Sequence, residues 1–201
     1  MNFTIRQKNN KTTKNGFTLV ETFVAIFILT FSIAGPVTIA QKGLSSSFFA
    51  KDRIIAAYLA QDVVEWIREA RDTIALQGYD ENPATAWLTK DQGAGATDIA
   101  MNCVGADKWC AIDTTKRFTV SGSALSCAGE AQCQFLKRDD ANGGVYGYAV
   151  GVATQFRREA NIVFQDSRNL SDEAVVTVKV HWKTGLFDRT YTLTETLLKW
   201  Q

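Results

Sequence analysis

Residues 17–40 form an apolar run of 24 residues in which Glu21 is the only charge. As an α-helix, at 1.5 Å per residue, the run measures about 36 Å, enough for the ~30 Å hydrocarbon core of a bilayer. Upstream lie Arg6, Lys8, Lys11 and Lys14 with no acid among them. That asymmetry keeps the N-terminus on the cytoplasmic side and sends the rest of the chain across. A carboxylate this close to the start of a spanning helix costs up to roughly 2.5–3.5 kcal/mol, less near the interface. A cost of that size calls for a partner or a function for Glu21.

The order of these features, a basic leader ending in Gly16, then Phe17, then an apolar helix with Glu21 fifth after the glycine, resembles the type IV pilin and type II secretion pseudopilin superfamily. The specific match covers about residues 10–40, and the layout of one long helix followed by a β-rich head extends it to the whole chain. The resemblance implies that a prepilin peptidase cuts between Gly16 and Phe17 and that the new N-terminal Phe17 is N-methylated. It also implies that Glu21 neutralises the amine of Phe17 on a neighbouring subunit. Within one helix those two residues stand about 6 Å apart along the axis, too stiffly held to meet.

Two plainer readings compete. A secretory signal peptide has the same basic start, and Ser32-Ile33-Ala34 is a weak small-residue cleavage site, but 24 residues is long for its core. An ordinary membrane anchor leaves Gly16 and Glu21 unexplained.

At 201 residues the chain has room for one globular domain and a tether. The net charge is +1, and removing the four leader cations leaves −3 for residues 17–201. A mildly acidic mature chain offers no broad nucleic-acid surface. Cys103, Cys110, Cys127 and Cys133 all fall downstream of the export signal. An even count there predicts two disulfides. Of three possible pairings, short separation favours Cys103 with Cys110 and Cys127 with Cys133. Spacings of seven and six, with no histidine among them, are not the knuckles of a zinc site, so no metal is expected there.

Further along, Gly35-Pro36 predicts a kink or a locally melted turn in the spanning helix. The resemblance links such a breaker to bending during filament assembly. From Lys42 to about Leu76 the pattern is an amphipathic helix, with Leu44, Phe48, Ile55, Leu59, Val63, Trp66, Ala70 and Ile74 as its apolar stripe. Asp52 interrupts that stripe. Arg68 and Asp72 stand at pairing distance on the helix surface. Gly78 and Asn82-Pro83 stop the helix.

Residues 78–115 carry few periodic signals and read as loop, with Trp87 and Trp109 as anchors. Arg117–Ser121 reads as a short strand and Ser121–Gln132 as loop again. The rest is β: Tyr146 to Val152 alternates, and Ile162 and Phe164 mark another strand. Val176, Val178, Val180 and Trp182 share one face of a half-buried strand, with Thr177, Lys179, His181 and Lys183 on the other. Thr184-Gly185 turns the chain into a returning strand carrying Phe187, Tyr191, Leu193 and Leu197. Trp200 is expected to pack rather than bind.

Signals for chemistry are sparse. His181 is the only histidine, an exposed strand residue without a nearby ligand set. The run Arg138-Asp139-Asp140-Ala141-Asn142-Gly143-Gly144 gathers oxygens as a calcium loop does, but lacks the spacing and closing glutamate of an EF-hand. A plain turn fits it better. There is no phosphate-cradling glycine loop or nucleophile elbow, so no enzyme and no cofactor is expected.

The expected fold class is α+β: a leader (1–16), a membrane and assembly helix (17–41), an amphipathic helix (42–77), and a head (78–201) with a C-terminal antiparallel sheet. The expected function is a minor pilin or pseudopilin, a single-pass membrane protein stored with its head outside the cytoplasm, then extracted into a surface or periplasmic filament. Its implied partners are other pilin subunits, the prepilin peptidase and an inner-membrane assembly platform. The alternative is a bitopic protein with a ligand-binding or sensing ectodomain.

Overall fold

A computed structural model of the chain describes residues 16–78, 86–91, 95–165 and 172–199. The chain divides into two units, residues 1–48 and 49–201. The helix α1 (Leu19–Gln77) runs through the boundary between them.

In the first unit, α1 is long and apolar enough to cross a membrane, and its apolar window buries nothing within the chain. Phe17, Leu19, Phe23, Phe27 and Phe31 are all more than 60 % exposed. Such a surface needs lipid or other helices around it. Gly35 and Pro36 remain helical, so the melted turn does not form. Nearby hydroxyls bond back to the helix: Ser32 Oγ donates to the Ile28 carbonyl (2.7 Å) and Thr38 Oγ1 to that of Ala34 (2.8 Å). That habit lets serine and threonine sit in apolar helices without an unpaired hydroxyl.

The second unit is a helix laid on a sheet. Leu59, Val63, Trp66, Ala70 and Ile74 are buried as their spacing predicts, joined by Ala56, Ala60, Val64 and Ile67. The small Ala56 and Ala60 widen the buried stripe beyond the large residues that periodicity picks out. Its expected upper end is not buried: Phe48 and Leu44 are exposed and Ile55 only half-buried. Arg68 pairs with Glu65 and Glu195, and Asp72 with Arg71, instead of with each other. Gly78 ends α1 with φ +71°, a left-handed conformation that glycine adopts freely, its N–H donating to the Ala75 carbonyl. Asn82-Pro83 and Trp200 lie outside the described residues.

After α1 come α2 (Ala86–Thr89), the two-residue strands β1 (Lys90–Asp91) and β2 (Gly95–Ala96), and α3 (Asp98–Asn102). The main sheet holds β3 (Cys110–Ile112), β4 (Ala124–Ser126), β5 (Phe135–Asp139), β6 (Val145–Gly147), β7 (Val152–Gln165), β8 (Glu173–Thr184) and β9 (Phe187–Leu198). Its pairings are antiparallel. β7 is central, taking β3 and β5 on one side and β8 on the other, and β9 follows β8. Arg117–Ser121, expected as a strand, is turn, although Phe118 within it is buried. The segment 121–132, expected as loop, contains β4, and the Tyr146–Val152 alternation is broken by bends before β7. Gly151 sits at that break with φ +111°. A Cβ there would lie 2.4 Å from the Arg138 carbonyl oxygen, so only glycine fits.

Val176, Val178, Val180 and Trp182 face the core, as their alternation predicts. Fully burying one such aliphatic side chain contributes roughly 1.5–3 kcal/mol. The core is one cluster running from α1 through Trp87 to all the longer strands, and Trp87 meets Phe164 edge-on at 5.7 Å. Trp109 is half-buried, with the Lys179 ammonium 4.6 Å from its ring centre.

Candidate functional site

Gly16, Phe17 and Thr18 lie ahead of α1 and are not helical. Phe17 is 78 % exposed. The helical spacing of 6 Å expected between Phe17 and Glu21 therefore does not apply, since the helix begins only at Leu19. Thr18 organises this end. Its Oγ1 accepts the Glu21 N–H (3.3 Å), and its carbonyl accepts the Thr22 N–H (3.2 Å). Thr18-x-x-Glu21 is half of a capping box, a signal legible in the sequence. It gives Glu21 a local role as well, because a carboxylate in the first turn is favoured by the positive end of the helix dipole.

Both disulfides have the local pairing. Cys103–Cys110 ties the end of α3 to β3 across 5.1 Å between Cα atoms, and Cys127–Cys133 closes a small loop after β4 across 4.8 Å. That second loop lies on the face of the sheet away from α1, and three contacts hold it there. The Ala131 N–H donates to Glu159 Oε2 (2.7 Å), Arg157 Nη1 donates to the Ala131 carbonyl (2.9 Å), and Lys179 pairs with Glu130 (2.5 Å). Ala131 adopts φ +59°, a conformation that costs a non-glycine residue about 1–2 kcal/mol and that the clamp enforces.

His181 does not stand alone, contrary to expectation. Its Nε2 lies 2.8 Å from Glu159 Oε1 and its Nδ1 2.9 Å from Thr190 Oγ1. The ladder crosses β7, β8 and β9 on one face. Glu159, only 1 % exposed, spends its second oxygen on the Ala131 amide, so the array works as a clasp for the disulfide loop. Beside it a cavity of about 350 Å³ is lined by Phe135, Gln155, Arg157, His181, Lys183 and Asp188, among others.

The oxygens of the 139–144 run are engaged in a turn. Asp139 Oδ1 accepts the Ala141 N–H (3.1 Å) and Asp139 Oδ2 accepts from Asn142 Nδ2 (2.6 Å). Asp140 pairs with Arg138 (2.9 Å), and Gly143 and Gly144 both have positive φ. Among the described residues no cluster of three or more His, Cys, Asp or Glu side chains is placed to hold a metal ion.

No protein family, curated protein or solved structure matches the chain.

Proposed function

We propose that the chain is a minor pilin or pseudopilin: a filament subunit held in the inner membrane by residues 17–41 until its leader is cut after Gly16. The observation that carries this reading is the arrangement at the start of α1. A non-helical Gly16-Phe17 precedes a helix whose first part, to Ala40, is apolar and exposed on every side, with one carboxylate in its first turn. Cleavage creates an amine on Phe17 at the depth of Glu21, and N-methylation would leave it cationic. A neighbouring subunit displaced along the filament brings its own Phe17 amine to that carboxylate. In a dry groove, losing one member of such a pair costs about 3–5 kcal/mol. Prepilin peptidase, an inner-membrane platform and other pilin subunits are the partners this reading requires.

Glu21→Gln separates assembly from helix capping, because glutamine still serves a capping box. The variant should insert and be cleaved, yet be depleted in sheared filament fractions relative to wild type. Normal incorporation would reject the pairing. The second reading, a bitopic protein with a sensing ectodomain, draws on the cavity beside His181, and it requires no cut after Gly16.

A further inference from the structure

We infer that the opening between α1 and the β8–β9 hairpin is a binding site for a small organic carboxylate with an aromatic or apolar body. A cavity of about 440 Å³ lies there, lined by Phe49 and Arg53 of α1 and by Trp182, Arg189 and Tyr191 of the hairpin, among others. All of these residues belong to the second unit. Cavities that take small ligands measure about 300–1,000 Å³ and combine apolar walls with a few polar groups. This one has that make-up, with three aromatic side chains and two guanidinium groups.

The fold positions both cations. Phe49 and Arg53 are four residues apart on α1 and so share one face of the helix. Arg189 stands opposite the buried Trp182 in the hairpin register, so both side chains leave the sheet on the face that α1 covers. There the Arg189 guanidinium lies 5.2 Å from the ring centre of Phe49 and 5.5 Å from that of Phe187. Rings hold a guanidinium by its flat face, and its donors, which lie in the plane, are left for another partner.

That partner is missing from the chain. Farther along the same seam Arg68 of α1 is bonded to Glu195 of β9. Arg53 and Arg189, in contrast, have no hydrogen bond and no ion pair among the described residues. The acid in the lining, Asp188, lies 3.5 Å from Lys183 instead. Trp182 is only 4 % exposed, and its Nε1–H has no acceptor among the described residues. A buried donor left unmade costs stability, so the indole gains by turning toward a bound oxygen. A carboxylate answers these needs: its two oxygens match the guanidinium fork, and its apolar body lies on the rings. Asp188 at the rim favours a single negative charge over the two of phosphate. The site is independent of cleavage after Gly16.

The test is calorimetric titration of the full chain in detergent micelles at low ionic strength, where surface charges are least screened. The probes are phenylpropionate, its neutral amide and inorganic phosphate. Phenylpropionate should bind saturably and more tightly than the other two. Arg53→Gln and Arg189→Gln should each weaken it by about tenfold or more, the loss expected for a hydrogen bond between charged groups. Urea midpoints near that of wild type show that these variants are folded. Arg138→Gln, on the turn between β5 and β6, should leave the affinity unchanged. The Trp182 indole N–H resonance, assigned by its loss in Trp182→Phe, should shift when phenylpropionate binds. No saturable binding at millimolar phenylpropionate, equal binding of the amide, tighter binding of phosphate, or an equal loss in Arg138→Gln would overturn the proposal. The N-terminal mass of the same sample reports cleavage separately, so an uncut chain that binds phenylpropionate would reject the pilin reading alone.

Discussion

Arg158 on β7 and Asp62 on α1, 96 residues apart, meet at 2.8 Å with the guanidinium wholly buried. Arg158 also donates to the carbonyls of Leu59 (3.1 Å) and Ile112 (2.9 Å) and to Thr114 Oγ1 (3.3 Å), and Thr114 donates to the same Asp62 oxygen (2.6 Å). One side chain thus fastens the helix to two strands. A buried charge is expensive, and among the described residues its Nε has no partner, so the lock fixes register at some cost in stability.

Arg158→Ala should lower head stability by about 3–5 kcal/mol, since it opens a cavity and strips carbonyls and Asp62 of their donor. Asp62 is half exposed, so water can replace part of what it gives. Asp62→Asn should cost no more than about 1–2 kcal/mol. Urea midpoints of the two variants check the order; equal losses would contradict it.

Tyr148 provides a pH signature. It is buried, its hydroxyl donates to the Arg158 carbonyl (3.1 Å), and burial pushes its pKa above the ordinary value near 10. The unfolded tyrosine ionises first, so its contribution to stability is complete below pH 10 and is lost as pH rises from there through the folded value. Tyr148→Phe should therefore be less stable than wild type by about 1 kcal/mol at pH 7–9. The gap should narrow above pH 10, as read from urea midpoints across the range.

The fold was legible where periodicity is long. The helix from Leu59 to Ile74 and the β8–β9 hairpin carry enough repeats to reveal their faces, and both form, although the hairpin turn is Gly185-Leu186, one residue later than the expected Thr184-Gly185. The segment between Asp98 and Gly151 was not legible, because its strands have three to five residues and distant polar contacts place them. Asp98 Oδ2, for example, accepts from the amides of Gly122 (2.5 Å) and Ser123 (3.1 Å), partners that no local pattern announces. Glu159 was missed for the same reason: its role depends on His181 and Ala131, which the sheet alone brings near. At the helix start Gly16, Phe17 and Glu21 were readable as a motif, and Thr18 was readable too, three residues before an acid.

The two disulfides should differ in reactivity. Cys103 and Cys110 are fully buried, whereas Cys127 is half-exposed and its loop rides on the sheet surface. A thiol reductant should open Cys127–Cys133 first, because exchange requires access to a sulfur. Alkylation and peptide mapping over time reads the order. Closing loops this short contributes roughly 2–3 kcal/mol each on the chain-entropy model. Cys127→Ser with Cys133→Ser should consequently leave the sheet folded and free the Ala131 clamp.

The proposed function depends above all on one covalent event. Intact-mass analysis of the protein purified from its own membranes, with N-terminal sequencing, measures it directly. The account predicts a chain that begins at Phe17, carries one added methyl group, and keeps its leader when Gly16 is replaced by a bulky residue. A mature chain that still begins at Met1, or one that begins at Gly35 after a signal-peptide cut, would contradict it.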